Sequence, residues 1–223
     1  MPDDRPRRPT GHRTNVARAW VPLRPPGSGP GEMTSPTLGT VLWHNPYDRS
    51  TELCQLLATS RGFALEGLVL VPVAETPALV EYRVDADDGW VAQRARVRIE
   101  SGGSDRELEL IRDGDGWRAG GRRLDAVDGC IDVDLRVTPA TNTLPIRRLA
   151  LEVGAGADVR AAWVGFPGLE VEPLDQRYER RAEDAYHYRA GAFEADLLVA
   201  GSGLVLRYGS EYWSALAHSD ASR

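Results

Sequence analysis

The chain has 223 residues, of which 42% are hydrophobic and 27% charged, a composition typical of a globular protein and not of a disordered one. All 27 basic side chains are arginines, which excludes a Schiff-base lysine and the lysine of a phosphate-binding P-loop. The net charge of -6 divides unevenly: residues 1–36 carry +3 and the remainder about -9, which argues against nucleic acid as a partner.

The first 36 residues predict a flexible arm that precedes the fold. They contain eight prolines and four glycines and show little apolar periodicity. Arg7 and Arg8 resemble a twin-arginine export signal, but Arg18 and Arg24 interrupt the apolar segment that such a signal requires. A cytoplasmic location is therefore expected. Met33, where the arm's composition ends, is a second candidate for the translation start.

The remainder of the chain predicts one globular domain over residues 37–217 and a polar tail over 218–223. A domain of this size buries roughly 70% of the surface that its unfolded chain exposes, so neither a disulfide nor a metal is needed to stabilise it. The longest apolar runs, such as Leu68 to Ala74, are far shorter than the ~20 residues of a transmembrane helix. We therefore expect no membrane-spanning helix.

Residues 50–59, STELCQLLAT, are compatible with either a helix or a strand. Leu53, Leu56 and Leu57 have helical spacing, and Ser50 is a candidate helix cap. However, no glutamate or glutamine follows three residues after that serine, as a capping box requires. From the residues alone, both alternatives stay open.

Apolar and polar residues alternate in many short segments that are separated by turns, a pattern typical of half-buried strands. One such strand carries Arg94, Arg96 and Arg98 on its polar side, which we expect to be a solvated sheet face. Residues 107–121 indicate a hairpin, with an Asp-Gly turn between two strands. More than ten short strands predict a large antiparallel barrel, roll or sandwich.

Residues 129–149 place unusually many polar side chains within a strand pattern. Asp132 and Asp134 fall on one strand face, about 7 Å apart at a rise of ~3.3 Å per residue. Such a pair could bind a divalent cation or keep one carboxyl protonated as a general acid, although a solvated or arginine-paired face is commoner. Arg147 and Arg148 could hold a ligand headgroup. The interpretation we favour is that they neutralise the aspartates and connect strand to helix.

A short helix is the second expected feature of this segment. Thr138 could cap it with Pro139 at the first helical position, but Pro145 would then end the helix early. Alternatively, Asn142 is the cap and Pro145 falls in the first turn, where its missing N–H costs little.

Other residue types do not form a recognisable active-site or metal constellation. The histidines, at positions 12, 44, 187 and 218, are too scattered to predict a zinc site or a triad. Cys54 and Cys130 match no metal or redox spacing and are expected to be buried thiols. Tryptophans and tyrosines could stack on sugars, although aromatic residues in strands more often belong to the core. No cofactor is expected.

Most of the sequence resembles that of the bacterial putative glycolipid-binding family. The resemblance covers roughly residues 41–213 and rests mainly on the blocks GCIDVDLRVTPATNTLPIRRLALEVG, VRAAWVGFPGLEVEPLDQRYER, YHYRAGAFEADLLV and GLVLRYGSEYW. It implies a spiral β-roll, that is, a mainly β fold in which one large, curled, mostly antiparallel sheet wraps around a single helix. It also implies a strand at residues 50–59, a noncatalytic role in binding a glycolipid or lipid-like amphiphile, and a homodimer.

Carried onto this sequence, the family motif supplies the candidate ligand-binding residues. They are Asp132, Asp134, Thr138, Asn142, Arg147, Arg148, Trp163, Gln176 and Tyr178. These residues either touch a ligand or hold the roll closed, and none is assigned a catalytic or metal-binding role. Two other functions stay open: a small enzyme that uses Asp132 or Asp134 on a sugar-like or lipid substrate, and a dimeric interaction module without a ligand.

Overall fold

The structure, a computed structural model, describes residues 35–221. The predicted arm, with its arginine pair and Met33, lies outside these residues apart from positions 35 and 36. The strands are β1 (Thr37–Asn45), β2 (Ser50–Thr59), β3 (Gly62–Val73), β4 (Thr76–Ala86), β5 (Ala92–Ser101), β6 (Ser104–Asp113), β7 (Gly116–Ala119), β8 (Arg122–Arg123), β9 (Asp132–Leu135), β10 (Gly156–Val164), β11 (Val171–Arg180), β12 (Ala185–Ala190), β13 (Phe193–Val199), β14 (Val205–Tyr208) and β15 (Ser214–Asp220). The helical elements are α1 (Thr143–Leu149) and the 3-10 turns Asp125–Val127 and Ala140–Asn142.

All the strands belong to one sheet, in the order β8-β7-β6-β5-β4-β3-β2-β1-β15-β14-β13-β12-β11-β10-β9. Strands β9 and β10 are parallel, whereas the other neighbours are antiparallel. Pairing of β1 with β15 joins the two halves of the chain near the middle of the sheet, and Gly39 faces Asp220 there. The sheet is not closed, because β8 and β9 remain its two edges. These features confirm the predicted mainly β fold with one large sheet and a single helix.

The sheet curls so far that its two ends come into contact. Trp117 on β7 donates its indole N–H to the carbonyl of Cys130, just before β9, at 2.9 Å. Nearby, the amide of Gly129 donates to the carbonyl of Asp115 at 2.8 Å. Because the inner face is enclosed in this way, the large side chains Trp43 and Trp117 become fully buried. Burial of such aromatic side chains contributes strongly to the core.

Residues 50–59 form strand β2, as the family resemblance implies, and the helical alternative is wrong. Ser50, Glu52, Cys54 and Leu56 alternate as buried residues on the inner face, which is the period of a strand. Leu53, part of the helical spacing, lies on the outer face and is half exposed. Leucine spacing alone does not distinguish the two structures in so short a segment.

The predicted Asp-Gly hairpin is confirmed between β6 and β7. Asp113 pairs with Gly116 across a two-residue loop. Gly114 in this loop has φ +64, a left-handed conformation that glycine adopts without steric cost.

The arginine stripe on β5 is more enclosed than the predicted solvated face. Each of its side chains is about one-third exposed and lies beside carboxylates. Arg96 pairs with Glu107 at 2.6 Å, and Arg98 pairs with Asp105 at 3.0 Å. Both acids lie on β6, so the stripe is used in a ladder of ion pairs between two strands. Partly exposed pairs of this kind each stabilise a fold by roughly 0–1 kcal/mol.

Helix α1 begins at Thr143 with Pro145 in its first turn, which matches the second of the two predicted alternatives. Asn142 occupies the predicted cap position, but its side chain makes no capping hydrogen bond, because its amide instead donates to the carbonyl of Pro139 at 2.9 Å. Thr138 accepts a hydrogen bond from the amide of Ala140 at 3.0 Å and so begins the 3-10 turn that leads into the helix.

Candidate functional site

The segment from β9 through α1 crosses the inside of the roll, and most of its candidate side chains bond to a different part of the sheet. This placement follows from its sequence, because the 3-10 turn and the seven-residue helix keep the chain compact between β9 and β10. Residues 137–146 are buried throughout. Buried polar groups need partners, so the bonding of each candidate identifies its structural role.

Asp132 and Arg148 form the ion pair that the sequence predicts between strand and helix. Asp132 is 1% exposed, and both its carboxylate oxygens accept hydrogen bonds from the guanidinium of Arg148. Burial raises the pKa of Asp132, whereas the positive charge of Arg148 works against that rise. Removal of one partner from a buried pair leaves an uncompensated charge, so this contact ties α1 to β9.

Asp134 does not contact an arginine, so the expectation of a second ion pair is wrong. Its carboxylate accepts a hydrogen bond from the amide of Gln176 at 2.6 Å and from the hydroxyl of Thr141 at 3.3 Å. Burial raises the pKa of Asp134 to about 6, and these two donors oppose the rise. The expected solvated strand face is therefore absent here, since the 3-10 turn covers this carboxylate.

A third contact, which sequence reasoning missed, centres on Glu52 of β2. Its Oε1 atom accepts hydrogen bonds from the hydroxyls of Tyr82 on β4 and Thr138, the latter at 2.7 Å. Glu52 is fully buried, and its Oε2 atom has no hydrogen-bond partner within the described residues. Burial raises the pKa of Glu52 to about 8, more than the two donors lower it. The carboxyl is thus mostly protonated at neutral pH.

Tyr82 reaches across β3 to Glu52 because the residue of β3 directly opposite Tyr82 is a glycine. Gly67 on β3 lies opposite Cys54 of β2 on one side and Tyr82 on the other. A Cβ atom at position 67 would overlap the phenol ring of Tyr82. The ring therefore lies flat across the glycine, a cross-strand arrangement that compensates for its missing side chain. An acidic residue at a buried position of an alternating strand was the available sequence signal for this cluster.

Tyr178 and Asn142 complete the contacts around the helix. The hydroxyl of Tyr178 on β11 donates to Oδ1 of Asn142 at 2.7 Å. The ring of Tyr178 lies 5.1 Å from that of Tyr188 on β12, centroid to centroid. This hydrogen bond joins the 3-10 turn to the aromatic side of the interior.

Arg147 and Trp163 do not join these buried contacts. The expectation that Arg147 neutralises an aspartate is wrong. This arginine is exposed, and its guanidinium lies over the ring of Trp90, 5.1 Å from the ring centroid. Trp163 is half-buried and stands opposite Asp134 in the parallel ladder. The structure therefore brings seven of the candidates into one interior region, and they are Asp132, Asp134, Thr138, Asn142, Arg148, Gln176 and Tyr178.

A concave region lies next to Gln176 on strands β10 to β12. Its volume is about 560 Å³, it is broadly open to solvent, and Asp158, Arg160, Asp175 and Arg177 are among its lining residues. Ion pairs cross it, including Arg177 with Asp158 at 3.0 Å. Most of its lining residues are therefore charged, whereas small-molecule pockets are typically lined by hydrophobic and aromatic side chains.

Residues that could bind a metal or react through sulfur are separated. Over residues 35–221, no three His, Cys, Asp or Glu side chains are grouped so that they could hold a metal ion. Cys54 and Cys130 are both buried free thiols, as predicted. Within the same residues, no helix has the length and apolar character to cross a bilayer.

Comparison with known proteins gives one family and one solved structure. The family described as "Putative glycolipid-binding" matches residues 40–213. The crystal structure of a DUF1089 family protein from Pseudomonas aeruginosa is 36% identical in sequence, with a TM-score of 0.66. The match covers 73% of this chain and 90% of the Pseudomonas chain. Among curated proteins, none matches.

Proposed function

This chain belongs to the putative glycolipid-binding family, and from that premise we propose that it is a noncatalytic protein that binds a glycolipid or a similar lipid-like amphiphile. Such a ligand combines apolar chains with a sugar or other polar headgroup. A suitable site therefore presents apolar surface together with hydroxyl groups, and it has a part that is open to solvent.

One observation carries this proposal: a continuous aromatic cluster leads from the surface into the roll. Its members are Tyr47, Tyr178, Tyr188, Phe193, Tyr208 and Tyr212. Tyr47 is 73% exposed, and its ring centroid lies 5.4 Å from that of Tyr212. Tyr208 and Tyr188 continue the cluster inward, with centroids 5.9 Å apart.

Tyrosine rings suit both parts of an amphiphile. Their faces pack against acyl chains or sugar rings, and their hydroxyls exchange hydrogen bonds with a headgroup. Near the inner end, Tyr178 bonds to Asn142, so the cluster leads to two of the candidate ligand-binding residues. Phe193 adds a fully apolar ring, 5.5 Å from Tyr212 between centroids.

The noncatalytic part of the proposal is supported by how the two aspartates are used. Asp132 is bonded to Arg148, and Asp134 accepts hydrogen bonds from Thr141 and Gln176. A general acid must reach the proton acceptor of its substrate directly or through one water molecule. Carboxyls that already hold the helix and the preceding 3-10 turn in place are better explained as structural groups.

Binding of a simple amphiphile tests the proposal. Titration of the full chain with dodecyl maltoside below its critical micelle concentration should give saturable heat in a calorimeter. Tyr212→Ala should weaken this binding about tenfold, since it removes one ring of an aromatic contact. Ile111→Ala is the matched control, because Ile111 is a half-exposed apolar residue on β6 and lies outside the cluster. Absence of saturable binding, or equal effects of both substitutions, would contradict the proposal.

A cytoplasmic location and a homodimer form part of the same proposal. A cytoplasmic binder would take its ligand from biosynthesis or from the inner leaflet of the membrane. Light scattering after size exclusion should give twice the 24.4 kDa mass of one chain. A single-chain mass at micromolar concentration would contradict the dimer and leave the ligand proposal unaffected.

A further inference from the structure

Most arginines of the sheet pair with carboxylates. Two arginines near Tyr186 instead donate hydrogen bonds to main-chain carbonyls. They are Arg147 on α1 and Arg180 on β11. Arg180 lies beside the ring of Tyr186 and donates to the carbonyl of Leu151, four residues after Arg147, so the chain just after α1 meets Arg180 next to Tyr186. Burial raises the pKa of the Tyr186 hydroxyl, and the positive charges of Arg180 and Arg147 oppose the rise. Within residues 35–221, neither forms an ion pair with a carboxylate. Their positive charges are therefore uncompensated by the described part of the chain.

Arg180 is held firmly at this position. Its guanidinium donates to the carbonyls of Leu151 at 2.8 Å and Ala182 at 3.2 Å, and also to that of Glu183. The group lies 5.7 Å from the centroid of the Tyr186 ring. Carbonyl partners orient a guanidinium without neutralising it, so Arg180 is fixed while its positive charge remains.

Arg147 is likewise positioned rather than neutralised. It donates to the carbonyl of Gly201 at 3.4 Å and lies over the ring of Trp90 at 5.1 Å. Gly203 supports this placement, since a Cβ atom there would lie 2.7 Å from Cδ of Arg147. The neighbouring Arg148 differs, because Asp132 neutralises it. Of the adjacent pair, one arginine closes the fold and the other faces solvent.

The aromatic surface under Arg147 is formed by a rigid loop. Trp90 has φ +64, a conformation that large side chains rarely adopt and that is concentrated at functional sites. The carboxylate of Asp87 holds the loop by accepting hydrogen bonds from the amides of Gly89 at 2.9 Å and Val91 at 3.0 Å. The indole also stacks on Phe63, with centroids 3.7 Å apart. The loop thus fixes Trp90 in a strained conformation beneath a positive charge.

We propose that Arg147, Arg180, Tyr186 and Trp90 bind the anionic headgroup of the amphiphile, a phosphate ester being the chemistry that they fit best. This proposal rests on the proposed function and specifies its ligand class. Guanidinium groups match the paired oxygens of a phosphate, and the tyrosine hydroxyl supplies a further donor. The half-buried indole of Trp90 and the alkyl part of Arg147 provide surface for the sugar or glycerol beside that phosphate.

Calorimetric titration with three probes tests the site: dodecyl phosphate and dodecyl maltoside, each below its critical micelle concentration, and inorganic phosphate. The wild-type chain should bind dodecyl phosphate roughly tenfold more tightly than dodecyl maltoside, as expected for one added charge-assisted contact. Arg147→Gln and Arg180→Gln should each remove that advantage, because each should weaken binding of dodecyl phosphate by more than it weakens binding of dodecyl maltoside. Arg122→Gln, at an exposed position on β8, should change neither affinity.

The outcomes separate this proposal from the proposed function. Equal affinities for both dodecyl probes, unchanged in Arg147→Gln, would overturn the anionic site and leave amphiphile binding intact. Failure of both dodecyl probes to bind would contradict amphiphile binding itself. A third outcome is that inorganic phosphate binds as tightly as dodecyl phosphate and that Arg147→Gln abolishes its binding. That result would support the anion site, with free phosphate as its ligand. Because Arg147 is exposed, Arg147→Gln should fold. The test therefore remains valid even if Arg180→Gln does not fold.

Discussion

Replacement of Glu52 by glutamine removes a fully buried titratable group and keeps its shape. Glutamine retains an oxygen that can accept from Tyr82 and Thr138, the two donors that Oε1 of Glu52 now serves. Its amide nitrogen takes the place of Oε2, which has no partner within the described residues. The substitution therefore changes how stability depends on pH more than it changes packing.

The magnitude follows from the pKa of Glu52, which burial raises from 4.5 to about 8. The folded protein keeps a proton that the unfolded chain releases above pH 4.5. The contribution of this group to stability is therefore fully present below pH 4.5 and is lost as the pH rises through about 8. At about 1.4 kcal/mol per pH unit, the loss is roughly 3 kcal/mol by pH 7 and roughly 5 kcal/mol above pH 8.

Urea unfolding between pH 5 and pH 9, followed by circular dichroism, measures this effect. Wild type and Glu52→Gln should have similar free energies of unfolding near pH 5, after which the variant should become more stable by about 3 kcal/mol at pH 7. The control is Glu172→Gln, at an exposed glutamate of β11, whose curve should follow that of wild type. Parallel curves for wild type and Glu52→Gln across the whole range would refute the account of a buried, protonated carboxyl.

Two further substitutions test the contacts that hold the roll together. Asp132→Asn leaves Arg148 without its charged partner and should cost roughly 3–5 kcal/mol of unfolding free energy, and a double-mutant cycle with Arg148→Met should show coupling of about 1 kcal/mol or more. A coupling energy of zero would contradict the ion pair. Gly67→Ala should destabilise the fold by roughly 1–3 kcal/mol in thermal and urea unfolding, because its Cβ overlaps the ring of Tyr82. Gly201→Ala, where the nearest atom would be 3.3 Å away, should have little effect, and similar losses at both positions would contradict the overlap.

Features that depend on local sequence could be predicted. Period-two alternation is set by neighbouring residues, so the strands and the Gly114 turn were identifiable before the fold was known. The ion pair of Asp132 with Arg148 was predictable from opposite charges within a single short segment. The family resemblance then resolved residues 50–59 as a strand, which leucine spacing alone left open.

Features that depend on the curl of the sheet could not be predicted. The hydroxyl of Thr138 meets Glu52 only because residues 86 positions apart are brought together inside the roll. Alternation assigned Asp134 to the polar face of β9, but it does not reveal that the following turn covers that face. Likewise, nothing in the pair Arg147-Arg148 tells which arginine turns inward. Tertiary packing decides these points, and local patterns do not contain it.

Native mass spectrometry of gently purified full-length protein tests the central claim most directly. The account predicts a mass above that of the chain, and dissociation in the gas phase should release an amphiphile, with a phosphate ester in its headgroup if the Arg147 and Arg180 site is correct. A clean mass of the bare chain, together with no adduct after incubation with a panel of neutral and anionic glycolipids, would contradict it.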